Sequence, residues 1–224
     1  MKRFRTIMMD PPWMERGGGK IKRGAQAKYN LLPTREMPLV IAKSGLFLPA
    51  ENAHLYCYVT NNFLPDGIWL MQQLGFDYKT NIGWAKTRAG LGQYFRGKHE
   101  LILFGTRGKG MHESVYSGRR DIVSWWSSES EEDTYLEAPH VMQEGTVGKR
   151  KHSAKPEPFY DLIESRSKGP YVELFARSGR DQWTSWGDEA PEENYDGEQR
   201  TNPSSEVDAD HSVGTPRGAS RDGG

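Results

Sequence analysis

Apolar positions fall in short bursts separated by polar turns. Phe4–Met9 is a mostly apolar run halted by Asp10-Pro11-Pro12, which reads as a buried strand and its stop. Residues 14–28 are rich in Gly, Lys and Arg and read as a mobile loop. Glu36–Ser44 has helical spacing, with Thr34 placed as its N-cap. Ala53–Thr60 (AHLYCYVT) is a strong strand. Pro65–Leu74 reads as a helix stopped by Gly75. Tyr78–Lys86 and Glu100–Thr106 read as strands, and Glu157–Ser165 as a helix. Pro170–Phe175 is the final predicted strand, and 127–137 an acidic loop. Strands alternating with helices predict an α/β fold, a mostly parallel sheet with helices on both faces. Ligands of such sheets bind beyond the carboxyl ends of the strands, where Asp10 and Glu173 fall.

The pattern fails after the last strand. From Asp188 to Gly224 there is no Leu, Ile, Phe, Trp or Met, and Tyr195 is the only aromatic. Such a segment cannot bury enough surface to offset its ordering entropy. One domain over residues 1–190 and a disordered acidic tail over 191–224 are expected.

Charge sharpens this division. The whole chain holds 30 basic and 30 acidic residues, a formal net charge of zero. Residues 1–126 hold 19 and 9, a net of +10. Residues 127–187 hold 8 and 11, and residues 188–224 hold 3 and 10. A basic working body and an acidic tail cancel in the total, so a polyanionic partner is not excluded.

Several function classes are excluded. No apolar run approaches the roughly 18–20 residues of a membrane helix. The start, MKRFRTIMMDPPW, lacks the length and cleavage site of a signal peptide. A cytoplasmic protein of a prokaryotic or phage-infected cell is expected, with no membrane partner. One cysteine, Cys57, rules out an internal disulfide framework, and its place among strand aromatics reads as core. The six His show no metal-ligand spacing with acids, so no metal is expected. Gly17-Gly18-Gly19-Lys20 lacks the Ser or Thr of a phosphate loop, and Gly90-Leu91-Gly92 lacks the third glycine of a dinucleotide fingerprint.

Asp10-Pro11-Pro12-Trp13 carries the most specific chemistry. Two prolines stiffen the chain and remove two donors, leaving carbonyl acceptors. A carboxylate precedes them and an indole follows. Two acceptors and a stacking plate suit an exocyclic amine on a planar base. Acceptors on both N–H groups localise the amine's lone pair for in-line attack on a methyl electrophile. Asp10 takes one N–H, the Pro11 carbonyl the other, and Trp13 stacks on the base.

DPPW and three further blocks together resemble the S-adenosylmethionine-dependent adenine amino-methyltransferases. That family includes the mRNA adenosine methyltransferase catalytic subunit and bacterial and phage DNA-modifying enzymes. The blocks are TNIGWAKTRAGLGQYFRGKHELILFGTRG (80–108), KHSAKPEPFYDLIE (151–164) and GPYVELFARSGRDQWTSWGDE (169–189). Catalytic block first and cofactor block last is the order of its permuted members. The resemblance implies a Rossmann-like class I methyltransferase fold with permuted motif order. It implies S-adenosylmethionine as methyl donor. It assigns Glu173 and Phe175 to the cofactor pocket, Arg177 and Arg180 to the ribose, and Lys155 to the methionine moiety. Asp188 and Glu189 match positions that bond ribose or adenine. From the residues alone, solvated ends for Arg177 and Arg180 and a core place for Phe175 are the preferred readings. Where the family usually carries His-Tyr after DPPW, this chain has Lys28-Tyr29.

Three basic runs complete the picture. Arg16, Lys20, Lys22, Arg23 and Lys28, with Tyr29, flank DPPW. Lys86, Arg88, Arg96 and Lys98 interleave with Tyr94 and Phe95, and Lys149-Arg150-Lys151 precedes Lys155. On one rim they would neutralise phosphates. The reading is methyl transfer to adenine N6 in DNA. Alternatives are an RNA adenine enzyme, a DNA cytosine-N4 enzyme, and a non-catalytic nucleic-acid-binding subunit. Oligomeric state is open, a homodimer included.

Overall fold

A computed structural model describes residues 2–14, 31–85, 94–95, 97–109, 125–127 and 157–187. Its elements in chain order are β1 (Phe4–Met9), α1 (Met37–Lys43), β2 (Pro49–Val59), a 3-10 turn (Asn61–Phe63) and α2 (Leu64–Gln73). There follow β3 (Asp77–Ala85), β4 (His99–Arg107), β5 (Trp125–Ser127), α3 (Glu157–Arg166), β6 (Tyr171–Leu174) and β7 (Trp183–Trp186). The seven strands form one sheet in the order β5-β3-β4-β2-β1-β6-β7. β4 runs antiparallel to β2 and β3, and every other neighbouring pair is parallel. Six strands therefore point one way, which is the expected mostly parallel α/β sheet.

Alternation of side chains along the strands builds a core on each face. Ile7 and Met9 of β1, with Leu55 and Cys57 of β2, pack against Met37 and Ile41 of α1 and Leu70 and Met71 of α2. Met8 of β1, with Tyr56 and Tyr58 of β2, packs on the other face against Phe159 and Ile163 of α3. Each such side chain contributes about 1.5–3 kcal/mol by leaving water. Cys57 is fully buried here.

Boundaries move for local reasons. Helix α1 starts at Met37, and its N-cap is Glu36 without a side-chain bond, rather than Thr34. The Thr34 carbonyl accepts from Met37 N–H at 3.3 Å in a preceding turn. Gly75 ends α2 as expected, at a φ of +78° that a side chain would resist. β2 begins four residues early, at Pro49, across an irregularity in its pairing with β1. Two strands escaped the sequence pattern. β5 spans three residues and β7 four, too short for a periodicity to show. Among the described residues, no helix is long and apolar enough to cross a membrane. The tail and most of the acidic stretch 127–137 lie outside the described residues.

Candidate active site

Parallel strands deliver the chemistry to one end of the sheet. Met8 of β1 faces Glu173 of β6, and Met9 faces both Leu174 of β6 and Cys57 of β2. Asp10 follows at once, its N–H reaching the Leu174 carbonyl at 3.4 Å. Pro11 and Pro12 then supply no donors, and the ladder ends. The Trp13 N–H turns back to the Pro11 carbonyl at 2.9 Å, and the Leu32 N–H donates to the Pro12 carbonyl at 2.9 Å. A carbonyl has two lone pairs, so Pro11 keeps one acceptor position.

Trp13 holds this turn in place. Its indole N–H donates to the Tyr58 carbonyl at 3.0 Å, and its ring stacks on Phe63 with centroids 5.6 Å apart. At 5% exposure it belongs to the core. The open stacking plate anticipated at Trp13 is therefore a buried anchor in this structure. The physical reason is the short 3-10 turn after β2, which brings Phe63 over the ring.

Asp10 lies between the Arg177 cation and the Tyr58 phenol. The Arg177 guanidinium lies 3.4 Å from Asp10 Oδ2, with both side chains partly exposed. Tyr58 is buried beside it. Burial lifts the Tyr58 phenol well above its ordinary value, and the Asp10 charge adds to the rise, ahead of Tyr160 and Glu173. Tyr58 therefore stays a neutral phenol.

The end of β6 is clamped. Glu173 is 4% exposed and accepts a hydrogen bond from the Tyr160 hydroxyl at 2.9 Å. Ser185 of β7 pairs with Glu173 in register, and its buried hydroxyl has no hydrogen-bond partner among the described residues. Phe175 turns the chain at a φ of 61°, uncommon for an aromatic residue, and packs edge-on against Trp186. The Ala176 N–H donates to the Trp186 carbonyl at 2.8 Å. A side chain at Gly187 would strike the Ala176 backbone, so only glycine passes there.

Arg180 serves the helix behind the site. Its Nη2 meets Asp161 at 2.6 Å and its Nε meets Glu164 at 3.2 Å, with the Tyr160 ring 4.9 Å away. The Trp183 indole N–H joins Glu164 at 2.7 Å. Arg180, expected beside the ribose, is held by these α3 carboxylates.

Comparison with known proteins settles the family. Residues 4–189 match the MT-A70 family. The chain belongs to it. A Mycoplasma relative, the type II methyltransferase M.MunI, is 25% identical over 215 residues, covering 85% of this chain and 79% of the relative. The human N(6)-adenine-specific methyltransferase METTL4 is 27% identical over 197 residues, covering 84% of this chain and 38% of METTL4.

Within this MT-A70 domain the structure brings Asp10, Pro11, Pro12, Trp13, Glu173, Phe175 and Arg177 to one end of the sheet. Lys98, just before β4, is exposed. Lys155, Asp188 and Glu189 lie outside the described residues, as do Lys20, Lys22, Arg23, Lys28, Tyr29, Lys86, Arg88 and Arg96. Sequence reasoning passed over Tyr58, Tyr160 and Ser185. The Tyr56–Tyr58 alternation around Cys57 was the available signal for Tyr58, since it puts both phenols on the α3 face.

The family implies S-adenosylmethionine, and the residues present fit it. A buried carboxylate at a parallel strand end, with an unsatisfied hydroxyl opposite, suits a ligand rich in hydroxyl groups.

Proposed function

We propose that this MT-A70 domain transfers a methyl group from S-adenosylmethionine to the exocyclic N6 amine of adenine in DNA. The observation that carries the reading is the carboxylate of Asp10 beside the Pro11 carbonyl, fixed by a buried Trp13 at the end of β1. Asp10 accepts one amine N–H. The Pro11 carbonyl, through the lone pair that Trp13 leaves, accepts the other. Pulling on both protons draws N6 toward pyramidal geometry and returns its lone pair from the ring to the nitrogen. The donor, when bound, supplies an electrophilic methyl. The carboxylate of Asp10 then holds the proton that N6 sheds. Electrostatic positioning of this kind is worth about 2.7–4 kcal/mol per well-placed hydrogen-bonding group.

Glu173 and Ser185 hold the donor's hydroxyls, with Phe175 and Arg177 beside them. The family resemblance adds Lys155 for its carboxylate and Asp188 and Glu189 for ribose or adenine. Adenine is supported by the N(6)-adenine-specific relative METTL4. DNA is supported by the net charge of +10 over residues 1–126. The domain acts where DNA is, in the cytoplasm of a prokaryotic or phage-infected cell.

The test is incubation with methyl-labelled donor and either duplex DNA or RNA, followed by nucleoside analysis. N6-methyladenine in the DNA arm is expected. Label in cytosine, or in RNA alone, overturns the substrate assignment. Tight donor binding without transfer to either polymer overturns the enzyme reading.

A further inference from the structure

Two neighbouring aromatic rings stand in solvent at the catalytic end of the sheet. β3 points the same way as β1, so it finishes at Ala85 on the end that carries Asp10. β4 runs back from that end, with His99 opposite Ala85. The connection between them, residues 86–98, starts and finishes beside the site. In it Tyr94 is 102% exposed and Phe95 87% exposed. Leu39, on α1, is the other exposed large hydrophobic among the described residues. Adjacent exposed aromatics are costly in water and mark a binding surface. Tyr94 also has a φ of 61°, a left-handed conformation that a bulky residue rarely adopts.

The surrounding sequence selects the partner. Residues 86–98 contain Lys86, Arg88, Arg96 and Lys98 and no acid. A partner that offers flat apolar faces together with negative charge is a nucleic acid. The position of the rings selects the moment. An adenine that reaches Asp10 has left its stack, which opens a gap in the duplex next to the site. Architectural proteins fill such steps with apolar side chains.

We propose that Tyr94 and Phe95 are a wedge that enters the base stack of duplex DNA at the place the target adenine leaves. The proposal rests on the DNA reading above and deepens it. The rings replace the lost stacking partner, while the exposed Lys98 neutralises an adjoining phosphate. They touch DNA and not the reacting atoms, so they are positioning residues.

The test compares two short fluorescein-labelled duplexes of alternating dA and dT, one intact and one carrying a single abasic site. A wedge favours the preformed gap. The wild-type chain is expected to bind the abasic duplex about tenfold more tightly than the intact one, the effect of one base–aromatic stack. Tyr94→Ala/Phe95→Ala should bring that ratio to about one, while donor affinity by calorimetry stays unchanged. Tyr94→Trp/Phe95→Trp should keep it. A wild-type ratio near one, or a ratio that survives the double alanine change, overturns the wedge. So does a double variant whose only change is loss of self-association in sedimentation, which would make the rings a contact between copies. Both substitutions sit at exposed positions, so folding is preserved. A chain that prefers the gap yet methylates no DNA overturns the functional reading and leaves the wedge standing. A chain that methylates DNA without preferring the gap does the reverse.

Discussion

The Arg177 guanidinium reaches the Asp10 carboxylate at 3.4 Å, tying the chain beyond β6 to the residue that follows β1. The separation exceeds the roughly 2.7–2.9 Å of a strong charged hydrogen bond. The two side chains are 27% and 17% exposed, so water screens the pair. Its worth is therefore below about 1 kcal/mol, and an incoming amine displaces it at little cost. Arg177→Ala should change the unfolding free energy by less than about 1 kcal/mol in urea titration. Asp10→Ala should abolish turnover and leave donor affinity intact, as read by calorimetry. Persisting turnover in Asp10→Ala removes the amine-acceptor mechanism.

Trp13 is a structural member of the turn after β1. Trp13→Ala deletes a buried ring and should cost about 3–5 kcal/mol. Trp13→Phe keeps most of the packing on Phe63 but removes the indole hydrogen bond to the Tyr58 carbonyl, at about 1 kcal/mol. Urea unfolding of both variants gives the two values. If Trp13→Ala were as stable as the wild type and only substrate binding fell, the ring would be a base-stacking plate after all.

Gly187 carries a steric requirement just beyond β7. Any Cβ there meets the Ala176 carbonyl and nitrogen and the Phe175 carbonyl carbon. Backbone cannot yield as a side-chain tip does. Gly187→Ala should push β7 away from the turn at Phe175 and break the Ala176–Trp186 hydrogen bond. Donor affinity should fall at least about tenfold, a loss near 1.4 kcal/mol. Unchanged calorimetric affinity would show that this crossing does not shape the donor site.

Much of this arrangement was legible in the chain, and the reasons differ by element. β1 and DPPW were readable because an apolar run meets two prolines, a local signal. The α2 stop was readable because Gly75 needs a left-handed backbone. β7 was not, since Trp183–Trp186 becomes a strand only through its partner β6. The fate of Trp13 was not legible either. An indole after a strand reads alike as a stacking plate or an anchor, and Phe63, 50 positions downstream, decides between them. The ion pairs of Arg180 were not legible for the same cause. Its carboxylate partners sit on α3, and nothing near Arg180 in sequence announces them.

The acidic end of the chain offers a test of the charge division. Residues 188–224 hold 3 basic and 10 acidic residues, against 27 and 20 in the preceding body. Unlike charges on one chain compete with a polyanion for the basic surface. Removing the residues after Pro191 should tighten DNA binding at low salt, read by anisotropy. The difference should fade as salt rises and screens the competition. Equal affinities at low salt would reduce this segment to a solubilising appendage.

Two buried phenols, Tyr56 and Tyr58, make the fold less stable at alkaline pH. Tyr56 lies on the α3 face and shares Ser167 Oγ with His54, at 2.8 Å and 2.7 Å. Burial pushes its pKa from 10.0 up to about 12, against smaller lowering effects from Ser167 and Arg166. Tyr58 shifts in the same direction, again chiefly by burial. The folded chain therefore keeps neutral phenols where the unfolded chain ionises. Stability from this source is complete below pH 10.0 and declines as pH rises toward about 12. For Tyr56 the full decline is about 3 kcal/mol. Tyr56→Phe removes one ionisable phenol at a cost of about 1 kcal/mol at neutral pH, from the lost Ser167 hydrogen bond. The variant should start less stable and lose less across the alkaline range, so the two stability curves converge. Urea unfolding at several alkaline pH values measures both slopes. Parallel curves would mean that Tyr56 ionises as easily in the fold as out of it, contrary to its burial.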